Sequence, residues 1–457
     1  MFHKLLIANR GEIACRVARA ARALGVRTVA VYSDADERSL HLEQCDEAVR
    51  LGPAPARESY LDAEKVLAAA KSTGAEAIHP GYGFLSEQAD FAQACAAAGV
   101  VFVGPPPGAM RAIKDKSQAR AVMLGAGVPV VPGSEGHVTP ELAADEARAL
   151  GFPLLVKAAG GGGGIGMQVA NDEPELLKGL RACSDRARAS FGKDAVYLER
   201  YFPAPRHVEV QVLGDGRLTL HLGARECSIQ RRHQKILEEA PAAAFELPSP
   251  RPRLRDELLQ AGLAAARAVG YANAGTCEFL LVGDQVYFIE LNARLQVEHP
   301  VTEAVTGLDL VQLQIRIAAG EHLPIGQGDV KTRGHAIECR VNAEDPVRFF
   351  PSPGKIVRFE TPVPADGRFH DGVRVDAGYR AGDTVTPFYD SLLAKLVVHG
   401  PTRAEAIARL GAALDAFAVE GVKTNLPLHR RIAASPFFAR GELDTRFLER
   451  LTQEVPP

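Results

Sequence analysis

Residues 157 to 167 read Lys157-Ala158-Ala159-Gly160-Gly161-Gly162-Gly163-Gly164-Ile165-Gly166-Met167. Consecutive glycines expose backbone N–H groups with no side chains in the way, so such a loop can close over a polyphosphate, and a nearby lysine neutralises charge. The run matches neither a Walker A motif nor a GxGxxG motif that opens a helix after a first strand. A flexible linker is the alternative. Strand-like sequence on both sides favours phosphate binding.

The residues before this loop alternate between strand and helix patterns. Leu5 to Ala8 predict a buried strand, and residues 12–24 predict a helix that ends at Gly25. Further strands are predicted at 28–32, 77–79 and 100–103. This rhythm predicts a parallel sheet with helices on both faces.

The proline-rich segment 104–107 marks an expected domain boundary, and the pattern of helices and strands changes after it. A single helical stretch from 108 to about 125 is the expected connector. From residue 205 onward the sequence is rich in strand patterns, at 207–213, 218–222, 276–282 and 285–291. The Ala/Pro-rich segment 241–252 is expected to be an exposed loop. The fold class is therefore α/β combined with α+β.

Composition excludes several classes of protein. The chain has 457 residues, with 53 Lys+Arg against 56 Asp+Glu, which argues against a dedicated nucleic-acid binder. No run of 18 apolar residues exists, so no membrane span is expected, and the N-terminal apolar run is too short for a secretory signal. We expect a cytoplasmic protein. The 7 cysteines form no CxxC pair, so a metal here should be a hard cation on oxygen ligands.

A β-hairpin is predicted over residues 276–292. If the connection has three residues, Glu278 faces Glu290 directly. If Gly283-Asp284 form a two-residue turn, the two glutamates fall on opposite faces. Opposed carboxylates repel each other, so a facing pair makes sense only with a cation between them. Asn292 points to the same side as Glu290, and this donor set suits Mg²⁺ on nucleotide phosphates. Solvated glutamates are the alternative.

Two further polar clusters have open interpretations. Residues 292–300 follow the possible metal strand, and there an arginine could hold a small anion and a glutamate could act as a general base. Such a cluster is also typical of solvated surface. The basic run 230–235 follows a predicted strand and a Cys-Ser turn. A local anion site and plain surface are equally compatible with it.

Taken together, these segments resemble the biotin carboxylase family of the ATP-grasp superfamily. The resemblance runs from residue 3 to about 450. The matching stretches are 5–14, 79–87, the Lys157 glycine loop, 206–209, 230–235, 290–300, 338–346 and 387–391. It implies a three-part ATP-grasp fold with an N-terminal parallel-sheet domain, a mobile lid of about residues 131–204 and a C-terminal mixed domain. The implied domains are 1–114 (N-terminal), 115–204 (connector and lid), 205–335 (ATP-grasp core) and 336–446 (C-terminal).

The resemblance implies a ligase that carboxylates N1′ of biotin with ATP, bicarbonate and Mg²⁺ or Mn²⁺. Bicarbonate attacks the γ-phosphate to give carboxyphosphate, which decomposes to CO₂ and phosphate. The phosphate deprotonates biotin, and the enolate captures CO₂. The nucleotide, bicarbonate and the biotin enolate are all anions that meet in one site. We therefore expect preorganised cationic side chains there.

Roles for individual residues are also implied by the resemblance. The implied nucleotide contacts are Lys116, Lys157, Gly163, Gly164, Glu199, Arg200, Tyr201, Phe202, His207, Gln230, His233, Glu278, Leu280 and Glu290. The implied metal ligands are Glu278, Glu290 and Asn292. The implied bicarbonate contacts are Lys235, Arg294, Gln296 and the Val297 backbone, and the implied biotin contacts are Tyr82, Arg340 and Asp390. The implied catalytic residues are Lys235, Arg294, Glu298 as the base, and Arg340 at the enolate.

This sequence departs from the family pattern at four positions. Ile165 and Gln168 stand where basic residues are common, so the lid loses positive charge. Arg200 replaces a common lysine. The charge is kept, but a planar guanidinium takes the place of a compact ammonium group. Arg19 matches a common dimer-interface position, but Ala23 stands where its acidic partner is expected, so a homodimer is expected with altered contacts.

Partners follow from an absent motif. Biotin carriers are modified at a lysine in a Met-Lys-Met-type motif, and none of the 4 methionines precedes a lysine. We expect biotin to be a substrate that is attached to a separate biotin carboxyl carrier protein. Carboxyltransferase subunits are the other expected partners. The expected assembly is a multi-subunit acyl-CoA carboxylase, such as the acetyl-CoA carboxylase of fatty acid biosynthesis. The alternatives are another ATP-grasp ligase and a non-catalytic regulatory protein that binds nucleotide. The first should lack Arg340 and Tyr389-Asp390 in these contexts.

Overall fold

The computed structural model describes residues 1–134, 136–158, 167–191, 195–232 and 234–454. Of the residues named above, the run from Ala159 to Gly166, with Gly163, Gly164 and Ile165, and His233 lie outside the described residues. In the part that is described, no helix has the length and apolar character needed to cross a membrane.

The N-terminal segment alternates strands and helices, as the sequence predicts. Its elements are β1 (Lys4–Ile7), α1 (Gly11–Ala23), β2 (Arg27–Ser33), α2 (Leu40–Glu43), β3 (Glu47–Gly52), α3 (Ala63–Thr73), β4 (Ala77–His79), α4 (Ala89–Ala97) and β5 (Val101–Phe102). The strands form one parallel sheet in the order β3-β2-β1-β4-β5. Leu5 packs with Val17 of α1 on one face, and Leu6 packs with Val66 of α3 on the other. The predicted parallel sheet is confirmed.

The connector and a small sheet come next. Their elements are α5 (Pro107–Lys114), α6 (Lys116–Gly125), α7 (Pro140–Leu150), β6 (Leu154–Ala158), β7 (Met167–Ala170), α8 (Glu173–Phe191) and β8 (Val196–Arg200). The predicted single connector helix is wrong, because Asp115 leaves the helical conformation and its carboxylate accepts the Ser117 and Gln118 N–H groups as a cap. β6 and β7 are antiparallel and pair Lys157 with Met167, so strands do flank the glycine run.

The rest of the chain builds one large antiparallel sheet and its helices. The elements up to the middle of that sheet are β9 (Arg206–Gly214), β10 (Thr219–Arg231), β11 (Gln234–Ala240), α9 (Pro252–Ala268), β12 (Asn273–Val282), β13 (Gln285–Asn292), α10 (His299–Thr306), α11 (Leu310–Ala318) and β14 (His335–Asn342). The remaining elements are β15 (Gly354–Lys355), β16 (Arg358–Glu360), β17 (Val373–Ala377), β18 (Thr384–Val385), β19 (Leu392–Gly400), α12 (Arg403–Ala416), β20 (Ala418–Glu420), α13 (Leu426–Ala434), α14 (Pro436–Arg440) and α15 (Phe447–Glu454).

The large sheet has eight strands in the order β13-β12-β9-β10-β11-β14-β19-β17. The pairing of β11 with β14 carries it without a break from the middle of the chain into the C-terminal part. Two apolar clusters cover one face of the sheet, one packed with α9 and the other with α12 and α13. Charged side chains from neighbouring strands are thereby held at fixed register.

Two local predictions are wrong. Cys227 and Ser228 do not form a turn, because β10 continues through them and both are fully buried. The segment expected to be an exposed loop at 241–252 buries residues 242–245. Alanine side chains are small enough to pack there, and the Ala244 N–H donates to the buried carboxylate of Glu226 at 3.0 Å.

The N-terminal and C-terminal parts meet at α1. The chain after β17 passes so close to the start of α1 that a Cβ at Gly378 would lie 2.3 Å from the Glu12 nitrogen. Only glycine permits this approach. It brings the first turn of α1 to the edge of the large sheet, where the polar side chains of both parts share one cavity.

Candidate active site

A cavity of about 640 Å³ lies between the N-terminal part and the large sheet. Every residue that the sequence assigns to metal, bicarbonate or biotin lines this cavity, and so does Glu298. From the nucleotide set, His207, Gln230, Glu278 and Glu290 line it as well. Residues far apart in the chain are therefore collected in one place by the sheet order.

Glu278 and Glu290 face each other across β12 and β13. The two strands are joined by the two-residue Gly283-Asp284 turn, which alone would put the glutamates on opposite faces. A β-bulge corrects the register, because Ile289 is an extra residue of β13 with no opposing residue on β12. The bulge re-aims Glu290 towards the cavity.

Lys235 forms the centre of the cavity floor. Its ammonium contacts Glu209 at 2.5 Å, Glu278 at 2.8 Å and Glu298 at 2.7 Å. Burial alone would lower the pKa of Lys235, but these carboxylates raise it well above the ordinary value. A permanent positive charge is thus fixed among buried acids.

Glu298 uses both of its carboxylate oxygens. Lys235 donates to one oxygen at 2.7 Å, and Arg340 donates to the other at 2.8 Å. Burial would raise the pKa of Glu298, but Lys235, Arg340 and Arg225 lower it below the ordinary range. The carboxylate is therefore ionised at neutral pH and is placed between two cations.

The residues expected to hold a metal present oxygen atoms of the right kind. Glu278 accepts from the Asn292 amide at 2.9 Å and the Gln296 amide at 2.7 Å. Glu290 pairs with Lys116 at 3.2 Å. Among the described residues, Glu278 lies close enough to His207 and Glu209 to share a metal ion with them, and Glu290 is not in that group. Carboxylate and amide oxygens fit a hard cation, which would compete with Lys235 for Glu278.

The anion side of the cavity carries Arg294. Its guanidinium donates to the Asn292 amide oxygen at 3.1 Å and pairs with Glu87 at 3.3 Å. Burial alone would lower the pKa of Arg294, but Glu87 and Glu298 raise it above its ordinary value, so the side chain stays charged. Arg294 and Lys235 both line the cavity together with Glu298, so two cationic side chains are available to a small anion there.

The remaining nucleotide residues lie beside the cavity, around the end of β8. Lys157 forms an ion pair with Glu199, and the Tyr201 N–H donates to the Pro153 carbonyl at 2.9 Å. Phe202 stacks on Tyr287 of β13 with ring centroids 5.4 Å apart, while Arg200 is exposed. Leu280 is opposite His207, whose ring contacts the Gln230 amide at 3.0 Å. Tyr287 was not predicted from the sequence.

Comparisons with known proteins agree along the whole chain. The biotin carboxylase N-terminal domain matches residues 1–110, the carbamoyl-phosphate synthase L chain ATP binding domain matches 115–326, and the biotin carboxylase C-terminal domain matches 338–450. The chain belongs to the biotin carboxylase family. The expected family, fold class and enzyme class are confirmed.

Individual relatives cover nearly the same length. A biotin carboxylase from Pseudomonas aeruginosa is 50% identical over 453 residues, which is 98% of both chains. A pyruvate carboxylase subunit from Methanothermobacter thermautotrophicus is 47% identical over 459 residues, covering 100% of this chain and 91% of its own. The crystal structure of a biotin carboxylase complex with βγ-ATP from Campylobacter jejuni has a TM-score of 0.94 and 42% identity, covering 98% of this chain and 99% of that one.

The end of the cavity that the family resemblance assigns to biotin is built from both parts of the chain. The Tyr82 hydroxyl donates to the Glu12 carboxylate in α1. Asp390 is exposed at the rim, where it accepts the Leu392 N–H at 2.8 Å. The preceding Tyr389 lies under the Arg10 guanidinium, 4.6 Å from its ring centre. The cavity wall therefore depends on contacts between the two ends of the sequence.

Arg225 is a buried part of the site that was not predicted. It is fully buried on β10 and donates to Glu209 at 2.5 Å, to Gln211 at 2.6 Å and to Gln296 at 2.8 Å. Arg225 lies directly opposite Glu209 on β9. Only the strand register reveals this pair, so the sequence gives no signal for it.

Proposed function

We propose that this chain carboxylates biotin held on a separate carrier protein, using ATP and bicarbonate, through carboxyphosphate. The observation that carries the proposal is the arrangement of Glu298 between Lys235 and Arg340 on the cavity floor. An ionised, buried carboxylate beside a positive region is the arrangement needed to remove a proton from a bound anion.

The first step concerns bicarbonate. Arg294, Lys235, the Gln296 amide and the Val297 backbone bind and orient it next to Glu298. When bicarbonate shares Lys235, Glu298 loses part of its cationic surroundings and becomes a stronger base. Glu298 then takes the bicarbonate proton, and the freed oxygen attacks the γ-phosphorus while the bond to the ADP oxygen breaks.

The nucleotide is held by both sheets. Lys116, Lys157 and the glycine loop, including Gly163 and Gly164, neutralise the phosphates. Glu199, Arg200, Tyr201, Phe202, His207, Gln230, His233 and Leu280 surround the base and ribose. Glu278, Glu290 and Asn292 would hold Mg²⁺ or Mn²⁺, which when bound neutralises phosphate charge. Closure of the lid over this site excludes water from the unstable intermediate.

The second step concerns biotin. Carboxyphosphate breaks into CO₂ and phosphate, the phosphate takes the N1′ proton, and N1′ forms its new bond to the carbon of CO₂. Arg340 stabilises the negative charge on the ureido oxygen, and Tyr82 and Asp390 orient the ring. Arg340 also donates a hydrogen bond to Glu298, so the residue that acts on bicarbonate and the residue that acts on biotin are in direct contact.

The wider context of this reaction is also a proposal. A biotin carboxyl carrier protein brings biotin to the cavity, and carboxyltransferase subunits of an acyl-CoA carboxylase use the product. Relatives with pyruvate and methylcrotonoyl-CoA carboxylase names make pyruvate and other acyl-CoA acceptors the alternatives. The proposed domains are 1–114, 115–204, 205–335 and 336–446, in a homodimer. A similar solved structure, the biotin carboxylase domain of the Hydrogenobacter thermophilus 2-oxoglutarate carboxylase, is a dimer in complex with MgADP and bicarbonate.

The test is ATP turnover by the purified chain with Mg²⁺ and bicarbonate, with and without free biotin. We expect biotin to stimulate ADP release, and Glu298→Gln to lower kcat by about 100-fold. Arg340→Ala should abolish the biotin stimulation. Lys423→Met, at an exposed ion pair with Asp345, is the matched control and should change nothing. Nucleotide binding without biotin-stimulated turnover would contradict the proposal.

A further inference from the structure

Lys395 is a buried cation that the proposed reaction does not use. It is fully buried on β19, and its ammonium lies 3.0 Å from the Val297 carbonyl oxygen and 3.2 Å from a Glu12 carboxylate oxygen. Burying a lysine is unfavourable unless the ammonium is paired, and an apolar side chain of the same length would fill this space without that cost. The charge of Lys395 therefore has to serve one or both of these two contacts.

One contact fixes the backbone of the bicarbonate loop. Residues 293–298, between β13 and α10, lie outside the helices and strands. The Gln296 carbonyl is held by the His299 ring at 2.8 Å, and the Val297 carbonyl is held by Lys395. The Val297 carbonyl shares its peptide group with the Glu298 nitrogen. A rotation of that peptide would displace the Glu298 side chain from Lys235 and Arg340.

The other contact reaches the biotin wall. Glu12 uses one carboxylate oxygen for Lys395 and the other for the Tyr82 hydroxyl. Tyr82 lines the same cavity as Val297, on the opposite part of the chain. Lys395 also lies directly opposite Arg340 in the β14–β19 pair. One ammonium is thus within one or two contacts of both substrate regions.

We propose that Lys395 is a positioning residue that joins the two substrate regions, holding the Val297–Glu298 peptide for bicarbonate and, through Glu12, the Tyr82 hydroxyl for biotin. Lys395 touches neither substrate. This inference rests on the proposed function, because the two regions are assigned to bicarbonate and biotin there.

The first test is Lys395→Met, which keeps the length of the side chain and removes its charge. We expect the KM for bicarbonate to rise by about tenfold, because the anion loop loses its orientation. The KM for ATP should stay within about twofold of wild type, since the nucleotide contacts lie elsewhere. A general loss of structure would change both constants and the melting temperature together. An unchanged KM for bicarbonate in a folded Lys395→Met protein would overturn the inference.

The second test measures coupling and does not depend on Lys395→Met alone. Glu12→Gln removes the charge that links Lys395 to Tyr82 but keeps the shape of the side chain. Tyr82→Phe should lower kcat/KM for free biotin in wild type. In the Glu12→Gln background, the fold decrease caused by Tyr82→Phe should be about threefold smaller. Independent effects of the two substitutions would overturn the link to biotin.

Failure of the proposed function has a different signature. If wild type shows no biotin-stimulated ADP release, the proposed function falls and this inference falls with it. If wild type turns over and the variants show neither the bicarbonate change nor the coupling, only this inference is overturned.

Discussion

Glu238 and Glu338 lie directly opposite each other on β11 and β14, and both carboxyl groups are completely buried. Arg340 donates to Glu238 at 2.7 Å, whereas neither oxygen of Glu338 has a hydrogen-bond partner within the described part of the chain. Burial raises the pKa of Glu338 well above its ordinary value, and Glu238 raises it further against the opposing effect of Lys395. The pKa of Glu338 is therefore shifted towards the neutral form, whereas Glu238 supports Arg340.

This asymmetry predicts different results for two matched substitutions. Glu338→Gln replaces a neutral acid with a neutral amide, so kcat/KM for biotin should stay within about threefold of wild type. Glu238→Gln removes the carboxylate that orients Arg340, so the same constant should fall by about tenfold. Steady-state ADP release at varied free biotin measures both. Equal losses in the two variants would show that the pair does not divide its roles in this way.

The same pair predicts how stability depends on pH. Burial, together with Glu298, raises the pKa of Glu238 to about 7, although Arg340 and Lys235 oppose the shift. A raised pKa means that the folded state binds the proton more tightly, so this contribution is complete below about pH 4.5 and is lost as the pH rises through 7. Burial raises the pKa of Glu338 as well, so Glu338 contributes with the same sign, and Glu338→Gln removes that contribution. Its melting temperature relative to wild type should therefore rise between pH 5 and pH 8. A difference that is constant across this range would contradict the prediction.

Arg225 predicts a large loss of stability. Arg225→Met leaves the Glu209 carboxylate buried with Lys235 as its remaining charge partner, and breaking a buried ion pair on one side costs about 3–5 kcal/mol. Denaturant unfolding should show a lower midpoint with an unchanged slope. Arg217→Met, on the exposed turn between β9 and β10, is the matched control and should leave the midpoint in place. A small effect of Arg225→Met would mean that water or Lys235 replaces the arginine.

The hairpin illustrates what the sequence could and could not predict. The residue types Glu278, Glu290 and Asn292 are compatible with a cation site, but spacing alone left solvated glutamates as the alternative. Their facing arrangement could not be decided, since it depends on the extra residue Ile289 in β13. A bulge is set by packing of the sheet on both sides, and no local pattern marks it.

The buried charges show the same limit more generally. Lys235, Glu298 and Arg340 were found because they lie in recognisable motifs. Arg225 and Lys395 were missed, because each is explained by a partner on another strand. Alternation along one strand shows which residues share a face, but the residue across the ladder is known only when the register is known. The alanines at 242–244 were misassigned for a related reason, since their burial depends on what packs over them.

The junction at α1 gives the last prediction. A Cβ at Gly378 would lie 2.3 Å from the Glu12 nitrogen and 2.9 Å from the Gly11 α-carbon, so backbone must move to admit it. Gly378→Ala should destabilise the protein by about 1–3 kcal/mol. It should also raise the KM for biotin, because Glu12 positions Tyr82.

Gly411 is the matched control, since it lies within α12 and a Cβ there meets nothing within 4 Å. Gly411→Ala should stabilise the protein by about 0.5–1 kcal/mol through helix propensity, with unchanged kinetics. Thermal melting and biotin-dependent ADP release on both variants decide the matter. If Gly378→Ala is as stable as wild type and binds biotin as well, the close approach at α1 does not determine the shape of the cavity wall.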